Sequence, residues 1–416
     1  MTSLNAGVIL IRLFIGVFIQ RELTQNLASG GYAKVGSLRN LMQILTSVTS
    51  LGIFNGIVKY VSEHKENKLE LQKLFSTAFV FTIIGSVSTF LILFFFSEPI
   101  SNYFFFSEEY SFIIKIVAVI APFIAIQRVF NGVVNGLSQY KDFAKIELLA
   151  YLISAGLTIW FLYQYNLEGV LVVIAVIPLI QVFVMLFIFI KVLREYVQFS
   201  KIEFKIPLAK SLLAFSLMSF VSTILLNFLE TDIRGMIENK IDSTGADIWT
   251  GMTTLSKNYM VFSGAIFTLY VIPKFSGIYK KNDFVKEVTN IYKTLLPLFA
   301  LGMMLIYFGR QLFIDYIFVD YSGMNPLFKW QLMGDFIRLI SLVLAHQFFA
   351  KKMVRNFIFT EILSLVLFYI FANYLSGIYG VEGVVMAHLF RYIIYFFVVL
   401  FLVNRYFSKN TTTKIV

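Results

Sequence analysis

Long apolar windows are the feature of this sequence that most restricts its fold. Twelve of them recur along the chain, and each is about as long as the 17 to 25 residues that a helix needs to cross a bilayer. We predict membrane-spanning helices at 4–26, 35–60, 74–96, 112–136, 146–164, 169–190, 211–236, 248–272, 288–308, 327–349, 356–374 and 382–404. Because lipid offers no hydrogen bonds to exposed backbone groups, we expect an all-α membrane protein with twelve transmembrane helices.

The composition supports a membrane protein and removes several other classes of function. With 58% hydrophobic and 14% charged residues, the chain is too apolar for the soluble multidomain protein that its 416 residues would suggest. It has no cysteine, which excludes disulfides and thiolate chemistry, and its three scattered histidines argue against a dedicated transition-metal site. We therefore expect neither a metal nor a cofactor.

The basic residues outside the windows collect in alternate loops. Counted loop by loop, twenty Lys and Arg lie on one side of the membrane and three on the other, namely Lys34, Lys240 and Arg310. Positive residues resist translocation, so we expect the basic loops and both termini in the cytoplasm of a bacterium, around a multi-pass inner-membrane protein. This topology accounts for the net charge of +11 without nucleic acid as a partner.

A short internal repeat divides the chain. With a shift of 214 positions, Leu167–Val170 (LEGV) falls on Val381–Val384 (VEGV), and a long apolar window follows each. We predict an N-terminal six-helix lobe at 1–205, including a cytoplasmic connector, and a C-terminal six-helix lobe at 206–416. An even number of spans gives both lobes the same orientation, so a pseudo-two-fold axis along the membrane normal would relate them across a cleft.

The connector at 191–210 mixes basic with aromatic residues. This pattern fits an interfacial helix that joins the two lobes and extends its charged ends to water. A docking site for an anionic lipid or a partner protein is the alternative.

Basic residues inside the windows are costly and therefore informative. A basic side chain at the bilayer centre costs roughly 2.5 to 3.5 kcal/mol on insertion scales, so it should face protein or a water-filled cavity. The deeper ones are Arg12, Arg39, Arg128, Arg234, Lys257, Arg338 and Arg391. Two of them have an acid one helical turn away, in the pairs Glu230–Arg234 and Asp335–Arg338. Among those without an acid at that spacing, we expect a ligand to neutralise Arg39, Arg128, Lys257 and Arg391.

Polar residues at helical spacing accompany these cations, among them Gln43, Asn131 and Gln331. Such residues often only hold helices together, but a polar stripe that also carries a cation favours a cavity wall. Cations at successive depths suit a diphosphate, so the pattern predicts a central positive cavity for a polyprenyl-diphosphate-linked saccharide. If transport is coupled to an ion, the candidate carriers are the intramembrane acids Asp335, Glu361 and Glu230.

Four segments are similar to a known family. They are Gly52–Val61 (GIFNGIVKYV), Ile248–Gly251 (IWTG), Tyr270–Pro273 (YVIP) and Trp330–Asp335 (WQLMGD) followed by Arg338. Through them the chain resembles the Wzx-type O-antigen and lipid III flippases, in the polysaccharide-exporter branch of the multidrug/oligosaccharidyl-lipid/polysaccharide superfamily.

The resemblance implies a fold, an activity and a site. The fold would be a V-shaped bundle of two six-helix lobes that flips an undecaprenyl-diphosphate-linked oligosaccharide, such as an O-antigen repeat unit, to the periplasmic leaflet by alternating access. The site would be a cavity lined by Arg and Lys. The residues around Arg39, Lys59, Asp335 and Arg338 match the family, so the resemblance would place these four residues in that cavity. Polymerases or ligases of the same pathway would be the protein partners.

Two other functions stay open at this stage. A cation-coupled drug or metabolite antiporter of the same superfamily would tend to hold a carboxylate in the first lobe, whose spans have acids only near their ends, at Glu22 and Glu147. A membrane glycosyltransferase or polymerase would usually need a large extramembrane loop with a base or metal-binding acids. The predicted loops are short and no P-loop, HExxH or nucleophile-elbow motif occurs, so we do not expect an enzyme.

Overall fold

The computed structural model describes residues 2–197, 201–319 and 321–412 of the chain. Within these residues the secondary structure is helical, with no β-strand. By their internal contacts the residues form two compact units, Met1–Thr231 and Asp232–Val416. The predicted lobe limits at 205 and 206 stay a prediction.

The first unit contains long helices with two short ones between them. In chain order these are α1 (Thr2–Asn26), α2 (Gly31–Val48), α3 (Phe54–His64), α4 (Lys68–Phe95), α5 (Ser97–Phe105), α6 (Ser111–Gly136), α7 (Tyr140–Tyr196) and the first part of α8 (Ala209–Lys240). Helix α6 packs on α3, α4 and α7, and α1 packs on α7. Buried apolar side chains such as Ile57, Phe75, Val133 and Met185 fill the core between these helices.

The second unit continues from the end of α8. It contains α9 (Ser243–Ile266), a π-helical segment (Phe267–Val271), α10 (Ile272–Ser276), α11 (Lys281–Phe308), α12 (Arg310–Tyr316), α13 (Leu327–Ala350) and α14 (Val354–Thr412). Helix α13 packs on α9, α11 and α14. It is the most buried of the long apolar helices, with 56% of its central window inside the protein, so its polar side chains must find partners on neighbouring helices.

Capping side chains determine where two of these helices begin. Helix α4 begins after Asn67, whose Oδ1 accepts hydrogen bonds from the N–H groups of Leu69 and Glu70 at 3.2 Å. Helix α9 begins after Asp242, whose Oδ1 accepts a hydrogen bond from the Gly245 N–H. Each cap satisfies backbone donors that the first helical turn leaves without partners.

The predicted windows are helical, apart from a turn at 49–53 and the last residue of the third window. The turn means that the window at 35–60 forms two helices, α2 and α3, where we predicted one. Six helices among the described residues are long and apolar enough to cross a membrane. Two of these, Lys141–Tyr196 and Val354–Ser408, are 56 and 55 residues long, well beyond the ~20 residues of one crossing. The chain is therefore an all-α, multi-pass membrane protein, and the number of twelve spans stays a prediction.

Both very long helices break at equivalent points. In α7 the break is at Asn166, with φ 50° and ψ −135°, and in α14 it is at Gly380, with φ 58° and ψ −138°. These residues are 214 positions apart, which is the offset of the sequence repeat. Ser138 and Lys352, also 214 positions apart, both have positive φ, at 58° and 52°. The repeat therefore extends from four residues of sequence to the backbone around them.

A glycine follows each break at the same distance, and packing explains it. A Cβ atom at Gly169 would lie 2.5 Å from the carbonyl oxygen of Phe161, and one at Gly383 would lie 2.1 Å from that of Leu375. Both distances are far inside van der Waals contact, so each break brings the chain closer to the preceding helix than a side chain permits.

The connector between α7 and α8 is pinned to α4. Glu203 and Leu208 donate backbone N–H hydrogen bonds to Ser76 Oγ at 3.0 Å and to Thr77 Oγ1 at 3.2 Å. Because residues 202–208 are not helical, the predicted interfacial helix is wrong for this part. Residues 198–200 of the connector lie outside the described residues.

Candidate functional site

A carboxylate is buried in the middle of α13. Asp335 has no exposed surface, and its Oδ2 accepts hydrogen bonds from Ser256 Oγ at 2.6 Å and from Gln331 Nε2 at 3.0 Å. The Tyr259 hydroxyl donates to the same oxygen. On the other oxygen, His388 Nε2 lies 3.0 Å from Oδ1. A charge without partners in an apolar bundle is costly, so these donors are what hold the carboxylate in place.

The first cation beside this carboxylate is Arg338, one helical turn further along α13. Its Nη1 lies 3.9 Å from Asp335 Oδ1, and 29% of its side chain is exposed. The ion pair predicted from the spacing of these two residues is therefore confirmed. The guanidinium stays partly accessible.

The second cation is Arg391 on α14, which is only 5% exposed. Its Nη2 lies 3.1 Å from His388 Nδ1. The guanidinium stacks over the rings of Phe368 and Tyr392, 4.0 and 4.5 Å from their centroids. Such cation–π stacking stabilises a cation that has been withdrawn from water.

A second acid approaches the two cations from the first half of α14. Glu361 is half-buried, accepts a hydrogen bond from the Tyr395 hydroxyl at 3.3 Å, and lies within electrostatic range of Arg338 and Arg391. We define the polar cluster of the second unit as Ser256, Tyr259, Gln331, Asp335, Arg338, Glu361, His388 and Arg391. It joins α9, α13 and both halves of α14.

The predicted residues on α8 are buried. Arg234 donates from Nε to Thr250 Oγ1 at 3.0 Å, and its guanidinium lies over the Trp249 ring at 5.3 Å. Glu230 is buried as well. Within the second unit, Arg234 thus contacts a hydroxyl group and an aromatic face.

Two predicted residues lie on α6 of the first unit. The half-buried guanidinium of Arg128 stacks on the Phe54 ring, 3.8 Å from its centroid, while Asn131 is buried one turn later. Gln127, next to Arg128, donates a hydrogen bond from Nε2 to Gln181 Oε1 on α7 at 2.8 Å, and this bond links α6 to α7. The polar residues of α6 therefore contribute amide contacts to helix packing and place a half-buried cation beside them.

The other predicted residues have exposed side chains. They are Arg39 and Gln43, one turn apart on α2, Lys59 on α3 and Lys257 on α9. Lys59 lies 3.6 Å from Glu63 Oε1 in an exposed pair, which contributes little to stability.

The two acids of the first unit that could serve a cation-coupled antiporter, Glu22 and Glu147, both have hydrogen-bond partners. Glu147 on α7 accepts a hydrogen bond from Arg12 Nη1 at 2.8 Å, and Glu22 accepts one from the Tyr163 hydroxyl. Arg12 thus finds an acid on a distant helix. Neither carboxylate is left as a cation site.

Sequence patterns identified some members of the polar cluster and missed others. The predicted residues Gln331, Asp335, Arg338, Glu361 and Arg391 come together. Ser256 and Tyr259 join them from α9, 79 and 76 positions from Asp335, and no local pattern marks that contact. His388 was visible as a polar residue three positions before Arg391, but its role as a bridge depends on the packing of α14 against α13.

The described residues contain no group of three or more His, Asp or Glu side chains that could hold a metal ion.

Comparison with known proteins places this arrangement in a family. Residues 31–320 match the family described as polysaccharide biosynthesis protein. The chain belongs to that family. Over 396 residues, which are 94% of each chain, it is 26% identical to proteins named lipid III flippase from Escherichia coli (strain K12) and from Shigella flexneri.

This member of the polysaccharide biosynthesis family has a fold that is similar to solved structures of transporters. The lipid II flippase MurJ in an inward closed conformation is similar with a TM-score of 0.73 and 14% identity, covering 99% of this chain and 91% of MurJ. An inward-facing multidrug resistance MATE family transporter of the MOP superfamily is similar with a TM-score of 0.72 and 14% identity, covering 99% of both chains. The fold is that of these transporters.

Proposed function

We propose that this protein is a flippase that moves an undecaprenyl-diphosphate-linked oligosaccharide, such as an O-antigen repeat unit, from the cytoplasmic to the periplasmic leaflet by alternating access. Its family and its likeness to the two lipid III flippases over 94% of each chain support this proposal. A cation-coupled antiporter is not favoured, because Glu22 and Glu147 already have partners.

The observation that carries the proposal is the presence of two cations, Arg39 on α2 and Arg128 on α6, in the first unit. Within the part of the chain that the structure describes, neither Arg39 nor Arg128 forms an ion pair. Arg39 is exposed and Arg128 has an aromatic ring on one face, so both can still accept the charge of a ligand. A diphosphate supplies that charge, because guanidinium forks match phosphate oxygens in pairs.

The remaining proposed anion-binding cations differ in how exposed they are. Lys59, Lys257 and Arg338 have exposed or partly exposed side chains, whereas Arg234 and Arg391 are buried. In the proposal, the accessible groups contact the diphosphate first, and the buried groups act after a change of conformation. Gln43, Asn131 and Gln331 supply polar contacts, and Asp335, Glu230 and Glu361 balance charge or carry a coupling ion.

The proposed setting follows from the same substrate. The protein would lie in the bacterial inner membrane with both termini in the cytoplasm, would act as a transporter and not as an enzyme, and would pass its product to a polymerase or ligase. Deleting the gene should leave the complete lipid-linked saccharide in the cytoplasmic leaflet. Accumulation of unpolymerised repeat units in the periplasmic leaflet would point to a polymerase instead.

A substitution at Arg39 tests whether this cation binds the substrate. R39Q should fold normally because the side chain is exposed, and it should lower the flipping of labelled lipid-linked saccharide in inverted vesicles about ten-fold or more, since a hydrogen bond to a charged group contributes roughly 1.5–3 kcal/mol. R405Q, at an exposed position near the end of α14, is the matched control and should transport like the parent. Equal transport by R39Q, R405Q and the parent would overturn the proposed site.

A further inference from the structure

His388 bridges the acid and the buried cation of the polar cluster. Its Nε2 lies 3.0 Å from Asp335 Oδ1 and its Nδ1 lies 3.1 Å from Arg391 Nη2. An arginine side chain has donors and no acceptor, so Nδ1 must accept that hydrogen bond with its lone pair. The ring proton is then on Nε2 and is donated to Asp335, while the Gln331 amide nitrogen, which donates to the other Asp335 oxygen, lies 3.3 Å from Nε2. In this arrangement His388 is neutral and both of its nitrogens are used.

A second proton on this ring has one place to bind. It would occupy the Nδ1 lone pair, where the N–H of Arg391 now lies 3.1 Å away. Two donors would then face each other, and two positive groups would be in contact inside an apolar bundle. The proton and the Arg391 guanidinium therefore exclude each other at Nδ1.

Charged and titratable groups lie against His388 or against its partners Asp335 and Arg391. They are Tyr259 of α9, Asp335 and Arg338 of α13, Glu361 of the first half of α14, and Arg391 and Tyr392 beside it. Within this set the two carboxylates balance the two guanidinium groups while His388 is neutral. A proton on His388 adds a positive charge, which an incoming anion would offset.

The packing around the ring shows that its position is specified. Residue 334 is glycine, and a Cβ there would lie 2.5 Å from His388 Cδ2. The backbone of α13 thus makes room for the imidazole directly beside Asp335. Tyr392 packs edge-on against the same ring at 5.0 Å between centroids.

We propose that Nδ1 of His388 is a proton-binding site that is linked to anion binding at Arg391. A proton at Nδ1 displaces the guanidinium, and the displaced guanidinium takes up a phosphate group. Each ligand then favours the other, as thermodynamic linkage requires. That the anion is a lipid diphosphate rests on the proposed function, whereas the exclusion between proton and guanidinium does not.

This assignment differs from the acids that the sequence suggested as ion carriers. Asp335 accepts four hydrogen bonds and an ion pair, so a proton on it would displace a donor that it already has. Histidine is also the side chain whose ordinary charge change falls between pH 5 and 8.

The first test follows the imidazole itself. The chain has three histidines, so ¹⁵N-histidine NMR of the protein in nanodiscs of phosphatidylethanolamine and phosphatidylglycerol can assign His388 by its loss in H388N. At neutral pH the His388 signals should be those of the Nε2–H tautomer. At pH 6, R391Q should show a larger doubly protonated fraction than the parent, because the competing donor is gone. An Nδ1–H tautomer, or equal fractions in R391Q and the parent, would overturn the proposal.

The second test measures linkage with farnesyl diphosphate as the probe. Its affinity for the parent should rise on acidification more steeply than its affinity for H388Q or H388N, by up to about ten-fold per pH unit for one linked proton. H346Q is the matched control, because His346 is a partly buried histidine of the same unit that bonds to the Leu342 carbonyl and stacks on Phe267. It should keep the parental pH dependence.

The outcomes separate the two proposals. If H388Q and H388N fold, as judged by size-exclusion chromatography, and keep the parental pH dependence, the proton site is wrong. If the parent does not bind farnesyl diphosphate at any pH while the NMR results agree with expectation, the proton site stands and the proposed substrate fails.

Discussion

At the scale of single residues, the burial of Asp335 explains the composition of its surroundings. A carboxylate with no exposed surface needs a donor for nearly every lone pair, and Ser256, Tyr259, Gln331 and His388 supply them. Removing one partner of such a buried network leaves the others unsatisfied. The stability of the second unit should therefore depend on this one charge.

We expect Asp335→Asn to destabilise the protein by about 3–5 kcal/mol, because the amide removes one of the two carboxylate charges that balance the guanidinium groups of Arg338 and Arg391. Thermal unfolding in detergent, followed by size-exclusion chromatography, measures the effect. Asp315→Asn on α12 is the control, since that acid is exposed and has one hydrogen bond, from Gln311. It should cost less than about 0.5 kcal/mol. Similar losses in both variants would show that the buried charge has no special role.

The charges of the site were easier to predict than their partners. The cost of burying Arg338 and Arg391 in a membrane can be read from the sequence alone, and so can the ion pair of Arg338 with Asp335. The contacts of Ser256 and Tyr259 could not be predicted, because they depend on how α9 packs against α13. The same holds for the bond from His388 to Asp335, which joins α14 to α13.

At the scale of elements, apolar length predicted the helices and local backbone chemistry determined their interruptions. The windows at 146–164 and 169–190 both lie in α7, and the break at Asn166 separates them. Asparagine and glycine tolerate positive φ better than other residues, which is why the breaks occur at Asn166 and Gly380. The turn at 49–53 was not predicted, because its sequence is as apolar as the helices beside it.

The break in α14 offers a test with a control on the same helix. We expect Gly383→Ala to lower the yield of folded protein and its unfolding temperature, because the new Cβ would lie 2.1 Å from the Leu375 carbonyl oxygen. Gly377→Ala meets nothing within 4 Å and should be neutral or stabilising by up to about 1 kcal/mol, as alanine favours helix. A Gly383→Ala variant as stable as Gly377→Ala would contradict the close approach at this break.

At the scale of the whole molecule, charge distribution gives an orientation that the fold does not. The excess of Lys and Arg in alternate loops predicts which loops face the cytoplasm. The absence of cysteine makes this prediction easy to examine, because a single introduced thiol is the sole site for a maleimide.

We expect a cysteine at Ser322 to react with a membrane-impermeant maleimide added to intact spheroplasts. A cysteine at Glu66, in the loop between α3 and α4, should react after the membrane is permeabilised and not before. Both positions are exposed, so access to the thiol is limited by the membrane and not by the protein. The reverse pattern of labelling would invert the proposed topology.

The offset of 214 residues allows the two halves of the chain to be compared position by position. Breaks, turns and the glycines after them recur at this offset, so the backbone is repeated around them. The charged chemistry is not: the positions that correspond to Asp335, Arg338 and His388 are Ala121, Ile124 and Ile174. One copy has therefore specialised in handling charge within its own interior, while its twin kept an apolar interior at the same places.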